Sequence, residues 1–252
     1  MSDYDRNVAA RGFGAARATA IDVGLRAYML RVYNYMAAGV ALTGVVAWVT
    51  YNAAVVTDAA GRVTSLTPFG QAIFSGPLAI VLFLGTLGLV FFMSFRINSL
   101  QPSTALMLFM LYAGLLGLML SSVFLAYTGA SITRTFFISA ASFGALSLYG
   151  YTTKRDLSPI GSFLIMGLFG LILAMIVNIF LKSTGLEFAI SAIGVVIFAG
   201  LTAWDTQKIK EMYFEGDASD VAGRKAIMGA LTLYLDFINL FLFLLRFMGD
   251  RR

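Results

Sequence analysis

The sequence predicts an all-α integral membrane protein: seven transmembrane helices in one domain, with the C-terminal helix at the centre. Three observations carry this. Of 252 residues, 59% are hydrophobic and only 12% charged, about half the charged share of a soluble chain. The charges leave seven apolar stretches, 32–51, 77–95, 104–127, 135–151, 160–181, 188–204 and 226–245, each near the roughly 20 residues that cross a bilayer as a helix. The last stretch is apolar on most sides with one polar stripe, as expected of a helix surrounded by others.

Basic residues sort by loop. Arg6, Arg11, Arg17, Arg26, Arg31, Arg96, Lys154, Arg155, Lys208, Lys210, Arg224 and Lys225 fall on one side of the spans. Arg62, Arg134, Lys182, Arg246, Arg251 and Arg252 fall on the other. Twelve against six places the N-terminus in the cytoplasm by the positive-inside rule. Residues 1–30 then form a cytoplasmic tail and 31–252 the transmembrane domain. The basic C-terminus runs against this orientation, and a re-entrant segment leaving six crossings would remove the conflict. The net charge of +5 is spread over loops and forms no nucleic-acid patch. With no cysteine and no histidine, disulfides, thiolate or imidazole metal sites and Ser-His or Cys-His catalysis are excluded.

In chain order, scattered arginines and the lack of an apolar core argue against a signal peptide at residues 1–30. Ile21, Leu25, Met29 and Val32 recur at helical spacing, so this stretch is either a helix on the inner leaflet or, over 1–20, a disordered tail. Tyr33, Tyr35, Trp48 and Tyr51 anchor the first span at its two interfaces. Residues 52–76, with Asp58, Gly61, Arg62 and Pro68, are the longest external loop. Arg96 ends the second span, and Pro102 with Ser103 opens the third. All four prolines (68, 77, 102 and 159) lie in loops or at helix starts. Gly114, Gly117, Ser139, Gly144, Gly161, Gly167 and Gly170 in the middle spans suit close helix packing better than pore lining. Asp156, Ser158 and Pro159 open the fifth helix.

The candidate site lies on the last two spans. Asp205 closes the sixth and Asp236 sits mid-way along the seventh, where a carboxylate costs about 2.5 to 3.5 kcal/mol. The nearest partner for each is the other, and two carboxylates at one site can share a proton. Ser191, Thr202 and Asp205 share a face, as do Thr232, Asp236, Asn239, Arg246 and Asp250. Thr202, Thr232 and Asn239 are candidate lining residues beside the pair. Calcium takes oxygen ligands in irregular geometry, so Asp205 and Asp236 could supply a weak calcium site. The plainer alternative is that a shared proton only pins the two helices together.

At "WDTQKIK" around Asp205, "LYLDFINLFLFLLRF" around Asp236 and "GYTTKRDLSPIGSFL" at 150–164, the sequence resembles the transmembrane Bax inhibitor motif family, particularly its bacterial members. The resemblance implies six helices wrapped around the C-terminal one, in the bacterial inner membrane. It also implies a calcium leak regulated by protonation of an aspartate pair, with calcium as the permeant ion and no bound cofactor. Carried over, the pair is Asp205 and Asp236, and Arg96 matches a basic residue that can latch onto it. The eukaryotic role in suppressing cell death does not transfer, since no partner motif is visible. Bacterial relatives are also linked to control of a membrane protease, which makes a non-transporting regulator the second reading.

An enzyme is the remote reading. Intramembrane aspartyl proteases also place two aspartates on consecutive helices, but they carry Gly-x-Gly-Asp and a downstream Pro-Ala-Leu. Here Leu233, Tyr234 and Leu235 precede Asp236, and no proline follows Pro159. The sequence therefore reads as a non-enzyme whose partners are the bilayer and calcium.

Overall fold

The computed structural model describes residues 3–58 and 62–252, with side chains from residue 23 onward. Helix α1 runs unbroken over Asp3–Ala54, so from Asp3 the expected tail and the first span form one helix. The expectation of a disordered 1–20 meets this helix from Asp3; Met1 and Ser2 lie outside the described residues, as do the side chains of Arg6, Arg11, Arg17 and Ile21. The expected external loop is partly ordered. Strand β1 (Val55–Thr57) pairs antiparallel with β2 (Val63–Leu66), Val55 opposite Leu66, and the helix α2 (Pro68–Phe74) follows. Val55, Val56, Thr57, Val63 and Thr64 are the β-branched residues that favour this pairing. Gly61 lies outside the described residues. Thr67 caps α2, its Oγ1 accepting from the Gly70 N–H at 3.1 Å.

The remaining helices are α3 (Pro77–Arg96), α4 (Pro102–Leu120), the short α5 (Val123–Ala126), α6 (Gly129–Thr152), α7 (Ser158–Leu181), α8 (Thr184–Glu211) and α9 (Ser219–Met248). The prolines fall at the first positions of α2, α3, α4 and α7, where a missing N–H is harmless. The polar cap expected at Ser103 is absent: Gln101 precedes α4, with no side-chain bond to its first turn. Lys182, with φ of 49°, adopts the left-handed conformation that ends α7 and turns the chain into α8.

Among the described residues, six helices are long and apolar enough to cross a membrane: Val23–Ala54, Pro77–Ser99, Pro102–Ala126, Ser158–Leu181, Thr184–Glu211 and Ser219–Met248. The expected fourth span lies in α6, which is not among them. Its 24 residues suffice in length, but Arg134 and a series of serines and threonines dilute its apolar character. Helix α6 nevertheless runs from beside the C-terminus, where Ser131 Oγ accepts from Asp250 N at 2.9 Å, to the opposite end, where the Tyr151 carbonyl accepts from Lys210 Nζ at 2.8 Å.

Helix α9 is the most enclosed. Of its apolar stretch 67% is buried within the protein, against 11% for α3 and α7. It packs on α1, α4, α6 and α8, while α7 rests mainly on α8 and α3 on α4. Tyr234 shows why α9 fits there: Phe109 and Tyr112 of α4 meet its ring edge-on, and its hydroxyl donates at 2.6 Å to Thr43 of α1, which donates on to the Ala113 carbonyl. A buried phenol thus ties three helices with every polar atom partnered.

The C-terminus closes one end of the bundle. Arg252 donates its N–H to the Ala126 carbonyl and its guanidinium to Tyr51, while Asp250 pairs with Arg134 at 3.2 Å and Arg251 with Glu187. The ends of α1, α5, α6 and α8 meet the C-terminus there, and two of its basic residues that run against the charge asymmetry, Arg251 and Arg252, are tied up in contacts.

The small residues divide by position. A Cβ at Gly150 would strike the Ala203 carbonyl of α8, and one at Gly161 the Trp204 ring, whereas Gly114, Gly144 and Gly170 face open space. Gly150→Ala should therefore push α6 off α8 and lower stability by about 1–3 kcal/mol. Gly144→Ala, on the same helix, should be neutral or stabilising by up to about 1 kcal/mol. Thermal unfolding of the two variants in detergent checks the contrast.

Candidate functional site

Helices α7, α8 and α9 enclose a cleft of about 580 Å³. One wall is apolar: Ile165, Leu168, Ile172 and Met175 of α7. The other walls carry Trp204, Asp205 and Lys208 of α8, with Thr232, Asp236, Asn239 and Arg246 of α9. The cleft exists because α7 leans on α8 rather than on α9, leaving the polar stripe of α9 without a helix against it.

At its base the two aspartates meet. Asp205 is 8% exposed and Asp236 5%, and their carboxyls lie within side-chain hydrogen-bonding reach of one another. Asp236 Oδ2 is shielded from solvent and accepts from no other described group. Two ionised carboxylates offer acceptors only, so a contact between them becomes favourable when one proton lies between the oxygens. The Lys208 ammonium is the charged neighbour of Asp205 and lies 5.0 Å from the centre of the Trp204 ring. Among the described residues no three acidic or other metal-ligating side chains come together, so a cation here would have two carboxylates and neutral oxygens.

The other expected site residues separate. Thr232 and Asn239 line the cleft; each bonds back to its own helix, Thr232 to the Met228 carbonyl at 3.1 Å and Asn239 Nδ2 to the Leu235 carbonyl at 2.8 Å. That leaves the Asn239 amide oxygen to accept or coordinate. Thr202 is fully buried and does not line the cleft; its hydroxyl donates to the Phe198 carbonyl at 2.7 Å. Arg96 is exposed at the end of α3, outside the cleft, with no ion pair among the described residues. Asp250, grouped with the stripe, lies past the end of α9 and pairs with Arg134.

A second polar line backs the pair on the far side of α8. Thr206 donates to the Thr202 carbonyl at 2.7 Å, so Ser147 donates to Thr206 at 2.9 Å and Tyr33 to Ser147 at 2.6 Å. The line ends in a backbone carbonyl, which fixes α1, α6 and α8 together and offers no onward path for a proton.

With this geometry in place, the comparisons with known proteins are specific. The family described as "Inhibitor of apoptosis-promoting Bax1" matches residues 25–252. The chain belongs to this family. An uncharacterized protein of Rickettsia prowazekii is 50% identical over 252 residues, covering the whole of both chains. The inner membrane protein YbhL of Escherichia coli is 49% identical over 231 residues, 91% of this chain and 94% of its own. A third relative, from Caulobacter vibrioides, is 45% identical and again covers both chains fully. The resemblance seen at the two aspartate stretches thus extends over almost the whole of this Bax inhibitor family chain, and its six apolar helices make it a multi-pass membrane protein.

Two contributors escaped the sequence reading. Lys208 stands one turn from Asp205, but its sequence pattern marks it only as one of the cytoplasmic-side charges. Gln207 gave no signal: its Oε1 accepts from Leu157 N and its Nε2 donates to the Arg155 carbonyl, both at 2.8 Å. This buried amide holds the 153–158 turn against α8, two residues from Asp205. Gln207→Ala should cost about 1–3 kcal/mol and release the turn. Limited trypsin digestion in detergent should then cut faster after Lys154 and Arg155, with Gln207→Glu intermediate because it keeps only the bond from Leu157.

Proposed function

We propose that the chain is a pH-regulated calcium leak channel of the bacterial inner membrane, gated by the proton-sharing pair Asp205 and Asp236. The observation that carries this reading is the pair itself: two buried carboxyls in mutual reach at the base of a cleft, one oxygen having no other partner. A pair of this kind changes charge by one when its proton leaves, and it then offers two ligand groups to a hard cation. Asn239 and Thr232 add neutral oxygens on the same wall. The site is weak by composition, as a leak requires, and calls for no resident cofactor.

The membrane arrangement belongs to the same proposal. Helix α6 reaches both ends of the bundle, so we read it as a seventh crossing, made tolerable by its neighbours α8 and α9. The C-terminal helix is then the inner helix of seven. Lys154, Lys208, Lys210, Arg224 and Lys225 gather at one end, which the positive-inside rule assigns to the cytoplasm together with the N-terminus. The name of the relative YbhL supports the inner membrane.

Protons and calcium should compete for the pair. Calcium binds its deprotonated form, so raising calcium should move the midpoint of the pH response to lower pH. In proteoliposomes, calcium entry should vary with pH between about 5 and 8. Asp205→Asn and Asp236→Asn should each flatten that response, with the double variant little different, because members of one coupled unit are not additive. A response surviving in both single variants would make the pair scaffolding. No flux from any of the proteins would favour the non-transporting regulator of a membrane protease, and cleavage of a peptide would revive the aspartyl protease.

The latch assigned to Arg96 by resemblance requires the end of α3 to move toward the cleft. Arg96→Ala should then raise the leak and weaken its pH response in the same assay; unchanged flux would leave Arg96 an interfacial anchor.

A further inference from the structure

A second groove lies between α1 and α6. Helix α1 packs on α4 and α9, and α6 on α8 and α9, so the two diverge and a seam opens between them. At the Lys210 end the seam widens to about 560 Å³, lined on α1 by Arg26, Met29, Leu30 and Tyr33 and on α6 by Phe143, Gly144, Ser147, Leu148 and Tyr151. Further along the same seam a separate hollow is lined by Val40 and Gly44 of α1, Phe136 and Phe137 of α6, and Phe237 and Phe241 of α9.

Three features of this seam belong together. Its walls are apolar and face the bilayer: Leu30 is 52% exposed and Leu148 62%. Its space is held open, since Gly44 and Gly144 would each carry a Cβ into nothing within 4 Å. A mid-helix glycine costs about 1 kcal/mol relative to alanine, and neither position has a close neighbour to require it. Its mouth is cationic. Arg26 is exposed and makes no hydrogen bond or ion pair among the described residues, and Lys210 bonds the Tyr151 carbonyl and stands 5.8 Å from that ring. Among the described residues no carboxylate lines the groove.

An apolar slot parallel to the helices, with an exposed guanidinium at its mouth, matches one kind of ligand in a membrane: a phospholipid with a negatively charged headgroup. We propose that the α1–α6 groove binds an anionic phospholipid, its phosphate on Arg26 and an acyl chain lying along Leu30, Gly144 and Leu148. Arginine suits a phosphate through paired N–H donors. The apolar walls exclude a soluble phosphate as the natural occupant. The Tyr33–Ser147–Thr206 line crosses beneath this groove to α8, so an occupied groove braces the helix that carries Asp205.

The test uses the full chain reconstituted in vesicles of equal parts phosphatidylglycerol and phosphatidylcholine. The protein is released in mild detergent and its retained lipids are counted by native mass spectrometry. One phosphatidylglycerol per chain should be retained preferentially. Arg26→Gln should lower the preference for phosphatidylglycerol about fivefold, the effect of one basic side chain facing an anionic lipid. Lys182→Gln, which removes an equal charge at the other end of the bundle, should leave it unchanged. Gly144→Leu should fill the slot and reduce retention of both lipids. Equal losses in Arg26→Gln and Lys182→Gln would show bulk attraction and overturn the site. So would a preference untouched by Arg26→Gln, or retention untouched by Gly144→Leu.

Discussion

The contact between Asp205 and Asp236 constrains everything around it. A single carboxyl inside a membrane helix is costly wherever it points. Two in contact reduce that cost by sharing a proton, but only if their helices are held at one separation and rotation. The most extensive helix interface in the protein, between α8 and α9, does the holding. Tyr234 fixes α9 against α1 and α4 from one side, and Thr206 fixes α8 against α6 and α1 from another. The pair sits where two well-buried helices meet a poorly buried one, which is why a cleft reaches it at all.

The α7 wall contributes through what it lacks. It is uniformly apolar along the cleft and meets α8 mainly through close approaches such as Gly161 on Trp204. Beyond its first turn, which Gln207 of α8 holds through Leu157 N, a wall of this kind can shift without breaking a hydrogen bond. The α8–α9 side is held more firmly, by Thr206 to Ser147 of α6 and by Tyr234 to Thr43 of α1. Under the proposed function, opening and closing are movements of the α7 side, with the aspartates as the charge that biases them.

Much of this was legible in the sequence, for physical reasons that can be named. Apolar runs opened by prolines located α3, α7 and the start of α4 to within two residues, since bilayer thickness and missing N–H groups leave little choice, whereas α1, α8 and α9 run well past their apolar stretches. The aspartates stood out because burial penalises charge. Thr202 was misplaced: helical spacing puts it on the Asp205 face, but a threonine in a membrane helix satisfies itself on its own backbone and can be packed away from the cleft. The hairpin at 55–66 was missed because short β-branched runs between helices resemble any external loop. Gln207 and the α1–α6 seam depend on which helices diverge, and no local pattern encodes that. Helix α6 shows a further limit. Its hydroxyls and Arg134 lower its apolar character, and only its contacts at both ends show how far it reaches.

The central claim is that the two carboxyls hold one proton between them. Infrared spectroscopy reads this directly, because a protonated carboxyl has a C=O stretch that a carboxylate lacks. Within the pH range in which flux responds, reconstituted protein should show one such band. It should be absent or displaced in both Asp205→Asn and Asp236→Asn, and it should bleach when calcium is added. A spectrum with no protonated carboxyl in that range, or a band indifferent to both substitutions, would contradict the account.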